Sequence, residues 1–219
     1  MICARVDPVD FLRPVEAVIP GARGKVLAVF AETTAGLSVR TAARLSGVSL
    51  AQTSRILPEL ATLGVLDRTE VPPSTVYRLV EENVASRAIR LLARSRDQVL
   101  SELGELAKSM VVPPVSIMVF GSFARGEAGP ESDVDVIMVQ GSCVDASSEW
   151  SEGLDEWRRG ARRLTGNEVE VMEVDELDVS SRLRSRRPVW QDIRRDGIVV
   201  FGKTLEELQV NEPKAHHVA

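Results

Sequence analysis

Residues 119–139 read VFGSFARGEAGPESDVDVIMV, and this stretch decides the fold of the second half of the chain. Its first apolar run ends at Phe120 and predicts a buried strand. Gly121 lets the backbone turn closely, and Ser122 begins a predicted helix. The N–H groups and the hydroxyl at the start of such a helix are suited to binding a phosphate. This half of the stretch therefore predicts a strand, a tight turn and an anion site.

Two aspartates, Asp133 and Asp135, open the next predicted strand. Because alternate strand residues point to the same side, their carboxylates project together, with Cα atoms roughly 6–7 Å apart. Val134 faces the opposite, core side. Two carboxylates on one face repel each other unless a cation lies between them, and oxygen ligands suit Mg²⁺. An isolated Asp-x-Asp pair would more simply end a strand at a polar loop, but the Gly-Ser turn before it favours a cation site.

This combination of short motifs resembles the signature of the DNA polymerase β-like nucleotidyltransferase superfamily in its minimal form. The resemblance extends from about Pro114 to Gly202. It implies an α+β domain in which helices flank a small mixed β-sheet. The motifs that carry it are Gly121-Ser122, Ala124-Arg125-Gly126 and Ser132-Asp133-Val134-Asp135.

The resemblance also implies roles for individual residues. Asp133 and Asp135 would bind one or two Mg²⁺ ions, with Mn²⁺ as a substitute. In a two-metal site, one ion activates the attacking hydroxyl and the other stabilises the departing pyrophosphate. Arg125 is suited either to a phosphate contact or to an ion pair with Glu127 or Glu131, and both interpretations stay open. The residues that would bind the triphosphate of ATP, or of another nucleoside triphosphate, are Gly121, Ser122, Arg125 and Ser132.

Members of this superfamily often add a third carboxylate from a later strand, and Glu170 is our candidate. It lies in the middle of the strand predicted from Val169 to Val174. Glu168 shares its face but lies nearer the loop, whereas Glu173 points to the other side. We expect Glu170 to act as a third metal ligand or as the base for the acceptor hydroxyl. The alternative is a solvated residue of an edge strand.

The pattern of apolar and capping residues over residues 20–80 predicts a second unit that is mostly helical. Ser38 can cap one short helix, and Ser49 can cap the next through a capping-box spacing. Pro58 should kink this second helix or shift its boundary, because proline removes a backbone hydrogen bond. Two short strands are predicted around the Pro72-Pro73 turn.

The order of these elements resembles a winged helix-turn-helix. Residues 47–68, GVSLAQTSRILPELATLGVLDR, resemble its turn, recognition helix and first wing strand. The resemblance implies that the helix after Ser49 enters the major groove of DNA. Residues 20–80 carry seven basic and four acidic side chains, which suits DNA but also a protein-interaction or dimerisation unit. The residues predicted to contact DNA are Arg40, Arg44, Gln52, Thr53 and Arg55.

Apolar residues recur at three- and four-residue steps over residues 84–110 and predict one long helix between the two units. Its interleaved arginines either form a basic face for nucleic acid or are simply solvated. In the second case the apolar stripe packs on a neighbouring domain or on a second copy of the chain. We therefore predict an α+β protein of two domains joined by a long helix. The predicted boundaries are 1–83 for the winged helix-turn-helix domain, 84–112 for the connecting helix and 113–219 for the nucleotidyltransferase domain.

The overall composition is typical of a soluble globular protein, with 44% hydrophobic residues, 27% charged residues and a net charge of −5. No apolar run approaches the roughly 20 residues that span a bilayer, and the N-terminus has no signal-peptide pattern. Cys3 and Cys143 lack a metal-ligand spacing, so we expect no disulfide framework and a cytoplasmic location. His216 and His217 lie in a polar tail, where we expect no metal site.

Two functions are consistent with the sequence. The first is transfer of a nucleoside monophosphate to a hydroxyl of a protein, an RNA or a small molecule, coupled to DNA binding. The second is a DNA-binding regulator or antitoxin whose transferase domain senses nucleotide or is catalytically silent. The chain also resembles the minimal nucleotidyltransferases of bacterial toxin–antitoxin systems, which is consistent with a helical partner protein. A homodimer formed through the long helix is a further alternative. No membrane partner is expected.

Overall fold

The computed structural model describes residues 10–142 and 148–210. These residues form two compact units. One comprises Arg13–Arg96, and the other comprises the described residues from Asp97 onwards together with those up to Leu12. Within the described ranges, no helix is both long and apolar enough to cross a membrane. Four residues discussed above lie outside these ranges, namely Cys3, Cys143, His216 and His217.

The first unit combines helices with a small antiparallel sheet. Its elements are α1 (Pro14–Val18), α2 (Ala22–Ala31), β1 (Leu37–Ser38), α3 (Val39–Ser46), α4 (Leu50–Thr62), β2 (Leu66–Val71), β3 (Ser74–Leu79) and α5 (Val84–Ala93). The strands lie in the order β1-β3-β2, so the predicted hairpin gains a short third strand that the sequence did not predict. Helices followed by a hairpin agree with the predicted winged helix-turn-helix.

Helices α3 and α4 begin at the predicted capping residues. The Ser38 hydroxyl accepts a hydrogen bond from the Thr41 N–H at 3.2 Å. In the same way, the Ser49 hydroxyl accepts one from the Gln52 N–H at 3.3 Å. Each bond satisfies an amide that has no partner inside its own helix. Pro58 lies inside α4 and does not end it, because the helix continues to Thr62.

Residues 84–112 form two helices instead of the single connecting helix that the sequence predicted. Helix α5 gives way to non-helical backbone at Arg94, and α6 (Ser95–Ala107) begins directly afterwards. Leu92 of α5 packs against the core of the first unit, whereas Leu103 of α6 is buried in the core of the second. The two helices therefore belong to different cores.

The second unit is built on a four-stranded mixed sheet. Its remaining elements are β4 (Ser116–Phe120), α7 (Gly121–Arg125), β5 (Val134–Gln140), α8 (Ser148–Thr165), β6 (Val169–Asp175), α9 (Glu176–Leu183), α10 (Pro188–Asp196), β7 (Ile198–Gly202) and α11 (Leu205–Val210). The strands lie in the order β6-β5-β4-β7, with β5 and β6 parallel and the other pairs antiparallel. The predicted α+β class with a small mixed sheet is confirmed.

Both faces of this sheet are covered. Val136 faces a core that it shares with α6 and α8, and Ile137 faces a second core that it shares with α9, α10 and α11. Because side chains alternate along a strand, Asp135 lies on the same face as Ile137. Asp135 therefore lies at the margin of the second core.

Candidate active site

Two carboxylates lie side by side because β5 pairs with β6. These strands are parallel, and Asp135 is the register partner of Glu170. Register partners on neighbouring strands point to the same face of a sheet, so the two side chains share one face. Asp133 directly precedes β5 and acts electrostatically on Asp135. Glu170 and Asp133 therefore both lie close enough to Asp135 for their charges to act on its carboxyl group.

Strand β4 completes the site on the other side of Asp135. Phe120, its last residue, pairs with Asp135, and the chain then turns at Gly121 with φ 70°. A Cβ at Gly121 would lie 3.2 Å from Cγ of Asp135 and still closer to its Oδ2. Both the positive φ and the lack of space favour glycine here. The turn therefore lies directly against the carboxylate.

The electrostatic field of the site acts on Asp135 in particular. Partial burial raises the pKa of its carboxyl group, and the negative charges of Glu170 and Asp133 raise that pKa further. The guanidinium of Arg125 lowers the same pKa, but the net effect is upward. Ionised Asp135 is therefore held at a free-energy cost that a bound cation would reduce.

The chemistry of these side chains fits a hard divalent cation, because all of their donor atoms are carboxylate oxygens. In the part of the chain that the structure describes, no three His, Cys, Asp or Glu side chains are already grouped as a metal site. Asp133 and Glu170 are exposed, so both side chains have room to rotate towards Asp135. A cation would therefore gather these ligands rather than enter a finished cage.

A cleft of about 290 Å³ opens beside Asp135 and Glu170. Its other walls are largely apolar and include Phe120 of β4, Met172 of β6 and Val189 of α10. Pockets that enclose small-molecule ligands span about 300–1,000 Å³. The cleft therefore has room for a reacting group and its immediate neighbours, not for an entire nucleoside triphosphate.

The two predicted phosphate-binding serines differ in their surroundings. Ser122 is half-buried in the first turn of α7. The Ser132 hydroxyl accepts a hydrogen bond from the Gly129 N–H at 3.1 Å and so closes its own loop. A hydroxyl that accepts a hydrogen bond still has its proton to donate, so Ser132 retains a donor for an anion.

Asn167 supports the site, and sequence reasoning missed it. This buried side chain donates from its amide nitrogen to the backbone oxygens of Ser132 at 2.8 Å, Pro130 at 3.3 Å and Gly129 at 3.4 Å. These bonds hold the loop that leads to Asp133. Its partners lie 35 to 38 residues away in the chain, so no local motif could have identified Asn167.

Arg125 is held by two carboxylates. It donates hydrogen bonds to Oε2 of Glu127 at 2.7 Å and to Oδ2 of Asp196 at 3.3 Å. The bond to Glu127 is the largest of the effects that raise the pKa of this guanidinium. Of the two ion-pair partners considered from the sequence, Glu127 is the one present, whereas Asp196 was not predicted. The bond to Asp196 ties α7 to α10.

The residues predicted to contact DNA are exposed with one exception. Thr53 is fully buried, and its hydroxyl donates to the Ser49 backbone oxygen at 3.0 Å. It lies four and seven residues before Leu57 and Leu60, on the buried stripe of α4. The expectation that Thr53 faces DNA is therefore wrong. The exposed residues are Arg40, Arg44, Gln52 and Arg55.

Comparisons with known families agree with this division of the chain. The profile of the nucleotidyltransferase domain family matches residues 96–199, which contain the whole cleft. The profile of the IclR helix-turn-helix domain family matches residues 24–70, which contain α3 and α4. No curated protein sequence matches the chain significantly.

Several solved structures resemble parts of the chain at low sequence identity. A crystal structure of a toxin–antitoxin with AMP-PNP is 19% identical over 51% of this chain and 81% of that one, with a TM-score of 0.35. A MarR-family transcriptional regulator from Rhodococcus sp. RHA1 is 23% identical over 40% and 63%, with a TM-score of 0.30. TrmBL2, an archaeal chromatin protein, is 16% identical over 84% and 74%, also with a TM-score of 0.30.

Proposed function

Because the chain joins a nucleotidyltransferase domain to a helix-turn-helix domain of the IclR type, we propose that it is a DNA-binding nucleotidyltransferase. It transfers a nucleoside monophosphate, with ATP as the proposed donor, to a hydroxyl group. The observation that supports this most strongly is the pairing of Asp135 with Glu170 directly beside the Gly121 turn. Carboxylates for a cation and a turn for a phosphate are the two parts that nucleotidyl transfer needs.

We assign the cation to Asp133, Asp135 and Glu170. Mg²⁺, or Mn²⁺ in its place, supplies positive charge that stabilises the triphosphate and the pyrophosphate leaving group. Asp135 is the register partner of Glu170 and lies two residues after Asp133, and partial burial and the negative charges of both raise its pKa. It is therefore the ligand whose loss should weaken cation binding most.

We assign the triphosphate to the turn at Gly121 and to the hydroxyls of Ser122 and Ser132. With no side chain at Gly121, the Asp135 carboxylate packs directly against the turn, so a cation bound to Asp135 would lie next to a phosphate bound at the backbone N–H groups. Arg125 already bonds to Glu127 and Asp196, so it reaches a phosphate only by exchanging one of these partners. Its main task is to hold α7 in place.

The chemical step is an in-line displacement at the α-phosphorus. The acceptor hydroxyl oxygen forms a new bond to this phosphorus, and the bond from it to the bridging oxygen of the β-phosphate breaks. Pyrophosphate departs with the bonding electron pair. Glu170 is exposed at the mouth of the cleft, where it can either accept the hydroxyl proton or remain a cation ligand.

We propose that the first unit binds DNA through α4. The exposed side chains of Gln52 and Arg55 lie in the first two turns of this helix, and Arg44 lies in the last turn of α3. The N-terminal part of a recognition helix is the part that reaches base edges in the major groove. Arginines at its margin would contact the phosphate backbone.

Purified protein, Mg²⁺ and ATP labelled at the α-phosphate test the transferase directly. Protein and RNA fractions of a cell extract serve as acceptors, and an Asp133→Ala/Asp135→Ala variant is the control. We expect labelled product and pyrophosphate only with the unaltered protein. If ATP binds but neither sample yields labelled product or pyrophosphate, a regulator that senses nucleotide replaces the enzyme.

A further inference from the structure

The chain from the middle of α9 to the end of α10 is basic, although the first turn of α9 carries Glu176 and Asp178. Residues 179–196 contain six arginines and two aspartates, in a chain whose net charge is −5. All six arginines are exposed, so this charge lies at the surface of the second unit. They are Arg182, Arg184, Arg186, Arg187, Arg194 and Arg195.

Two of these arginines line a pocket of about 330 Å³, which we call the arginine pocket. Its lining consists of Arg182, Arg187, two hydroxyl residues, Ser181 and Ser185, and the buried Trp190. Guanidinium groups bind phosphate oxygens well. The Ser185 hydroxyl accepts a bond from the Arg187 N–H and keeps its proton for a ligand, whereas the Ser181 hydroxyl already donates to the backbone oxygen of Asp178. The pocket therefore has the chemistry of a phosphate site.

Carboxylates of the same unit pair with some of these arginines but not with all of them. Arg182 approaches Asp178 only to 3.7 Å, and both side chains are largely exposed, so the pair contributes little. Asp192 and Asp196, the acidic residues of the segment, pair with Arg195. Among the described residues, Arg187 forms no ion pair. Its charge remains available to a ligand.

The first turn of α10 joins the arginine pocket to the cleft. Val189 lines the cleft that holds Asp135 and Glu170, while Arg187 and Trp190 line the arginine pocket. The first turn of α10 therefore contributes a wall to both the cleft and the arginine pocket.

Two contacts fix this arrangement. At its other end, α10 is tied to α7 by the bond between Asp196 and Arg125. Arg194 of α10 donates to the backbone oxygens of Leu183 and Ser185 and so holds the loop between α9 and α10. These bonds hold α10, which lines both the pocket and the cleft, against α7 and against the loop that precedes it.

We propose that the arginine pocket binds backbone phosphates of a single-stranded nucleic acid whose terminal hydroxyl is the acceptor. This inference rests on the proposed transferase function. The cleft has room for a terminal hydroxyl and its sugar but not for a long ligand, so the following phosphates lie outside it on Arg182 and Arg187. Because Trp190 is buried, the pocket offers phosphate contacts without base stacking, and binding tolerates different sequences.

The transfer extends the strand by one nucleotide. The 3′-hydroxyl oxygen of the strand bonds to the α-phosphorus of the nucleoside triphosphate, and the bond to the β-phosphate oxygen breaks. Pyrophosphate leaves with the electron pair, and the hydroxyl proton passes to Glu170 or to solvent. The products are a strand longer by one residue and one pyrophosphate.

Binding of fluorescent single-stranded RNA and DNA oligonucleotides, followed by anisotropy without ATP, tests the site independently of catalysis. The full chain carries Arg44→Ala/Arg55→Ala throughout, so that the first unit contributes little binding. In this background, Arg182→Ala/Arg187→Ala is compared with Arg159→Ala, an exposed arginine on α8. We expect the double variant to bind about tenfold more weakly, with a salt dependence reduced by about two phosphate contacts. Arg159→Ala should bind normally.

Mg²⁺–ATP binding is measured by thermal shift on the same samples, so that the two proposals can fail separately. Equal oligonucleotide affinity in the double variant and the Arg159→Ala control overturns the inference, even if Mg²⁺–ATP binds. If the oligonucleotide binds through these arginines but the protein does not bind Mg²⁺–ATP, two proposals fail together: the strand is not an acceptor, and the protein is not a transferase. The inference is supported if labelled ATP extends the oligonucleotide and if the double variant raises the KM for the strand but not the KM for ATP. The RNA and DNA arms show which strand is preferred.

Discussion

Gly121 lies against the carboxylate of Asp135, with so little space that a Cβ at Gly121 would lie 3.2 Å from Asp135 Cγ. The contact joins the turn proposed to bind phosphate to the carboxylate proposed to bind the cation. The two halves of the site therefore cannot shift independently. The backbone at Gly121 has a φ of 70°, a value that residues other than glycine rarely adopt.

Gly121→Ala should therefore displace Asp135 or open the turn. We expect transferase activity to fall about 100-fold, in line with misplacement of reacting groups by about 1 Å. Initial rates of pyrophosphate release measure the effect. Gly129→Ala is the matched control, because a Cβ there meets no atom within 4 Å. Equal activity of the two variants would show that the contact with Asp135 is unimportant.

Asp135→Asn should stabilise the protein when metal is absent. Burial and two neighbouring carboxylates raise the pKa of Asp135, so its ionised form destabilises the fold at neutral pH. The amide removes this penalty, and we expect Tm to rise on the order of 2 °C. Because the penalty exists only above the raised pKa, the difference in Tm should shrink as pH falls through that pKa.

Thermal unfolding in EDTA between about pH 8 and about pH 4 measures this difference. Glu131→Gln removes an exposed carboxylate from the preceding loop and serves as the control, with no expected change in Tm. A lower Tm for Asp135→Asn at neutral pH would mean that the three carboxylates do not oppose one another in the folded protein.

Glu170→Gln separates the two roles left open for this residue. If Glu170 accepts the proton, Mg²⁺–ATP binding should persist while kcat falls about 10²-fold or more. If it is a cation ligand, the affinity for Mg²⁺–ATP should fall together with kcat. Calorimetric titration and initial rates on one preparation distinguish these results. Normal binding and normal rate would assign Glu170 to the solvated surface.

Asn167→Ala should destabilise the second unit by about 1–3 kcal/mol, because it removes a buried side chain that donates to three backbone oxygens of the loop before Asp133. Urea unfolding measures the change. Ser109→Ala removes a hydroxyl that bonds only locally and at the surface, so it controls for loss of a single hydrogen bond. Unchanged stability in Asn167→Ala would show that the loop before Asp133 does not depend on this amide.

Arg44→Ala and Arg55→Ala should each weaken binding to operator DNA and lower its salt dependence by about one phosphate contact. Thr53→Val should leave DNA contacts intact and alter only the stability of α4, since Thr53 is buried. Electrophoretic shifts at several salt concentrations measure both effects, with Arg159→Ala as the control. A larger loss from Thr53→Val than from Arg55→Ala would contradict the orientation of α4.

The sequence alone predicted the positions of those motifs whose residues lie close together in the chain. The Gly-Ser turn and the Asp-x-Asp pair each lie within a few residues, so spacing and strand alternation placed them correctly. Strand periodicity also distinguished Glu170 from Glu173 and made it the candidate third carboxylate. That Glu170 lies beside Asp135 could not be predicted from the sequence, because it depends on the register of the parallel pairing between β5 and β6.

Other features depended on contacts that local patterns do not encode. Asn167 and Asp196 act on loops and helices far from them in the chain. Two predictions were wrong, the DNA contact of Thr53 and the single helix over residues 84–112, and in both cases the local sequence indicates the correct result. Thr53 shares the helical stripe of Leu57 and Leu60, and the uniformly polar run 94–98 marks the point where the supposed long helix divides.

A crystal structure with Mg²⁺ and a non-hydrolysable ATP analogue tests the central claim most directly. We predict that oxygens of both Asp133 and Asp135 coordinate the cation, and that the triphosphate lies against the backbone at Gly121. A triphosphate bound elsewhere on the protein, or a cation that touches neither aspartate, would contradict the account.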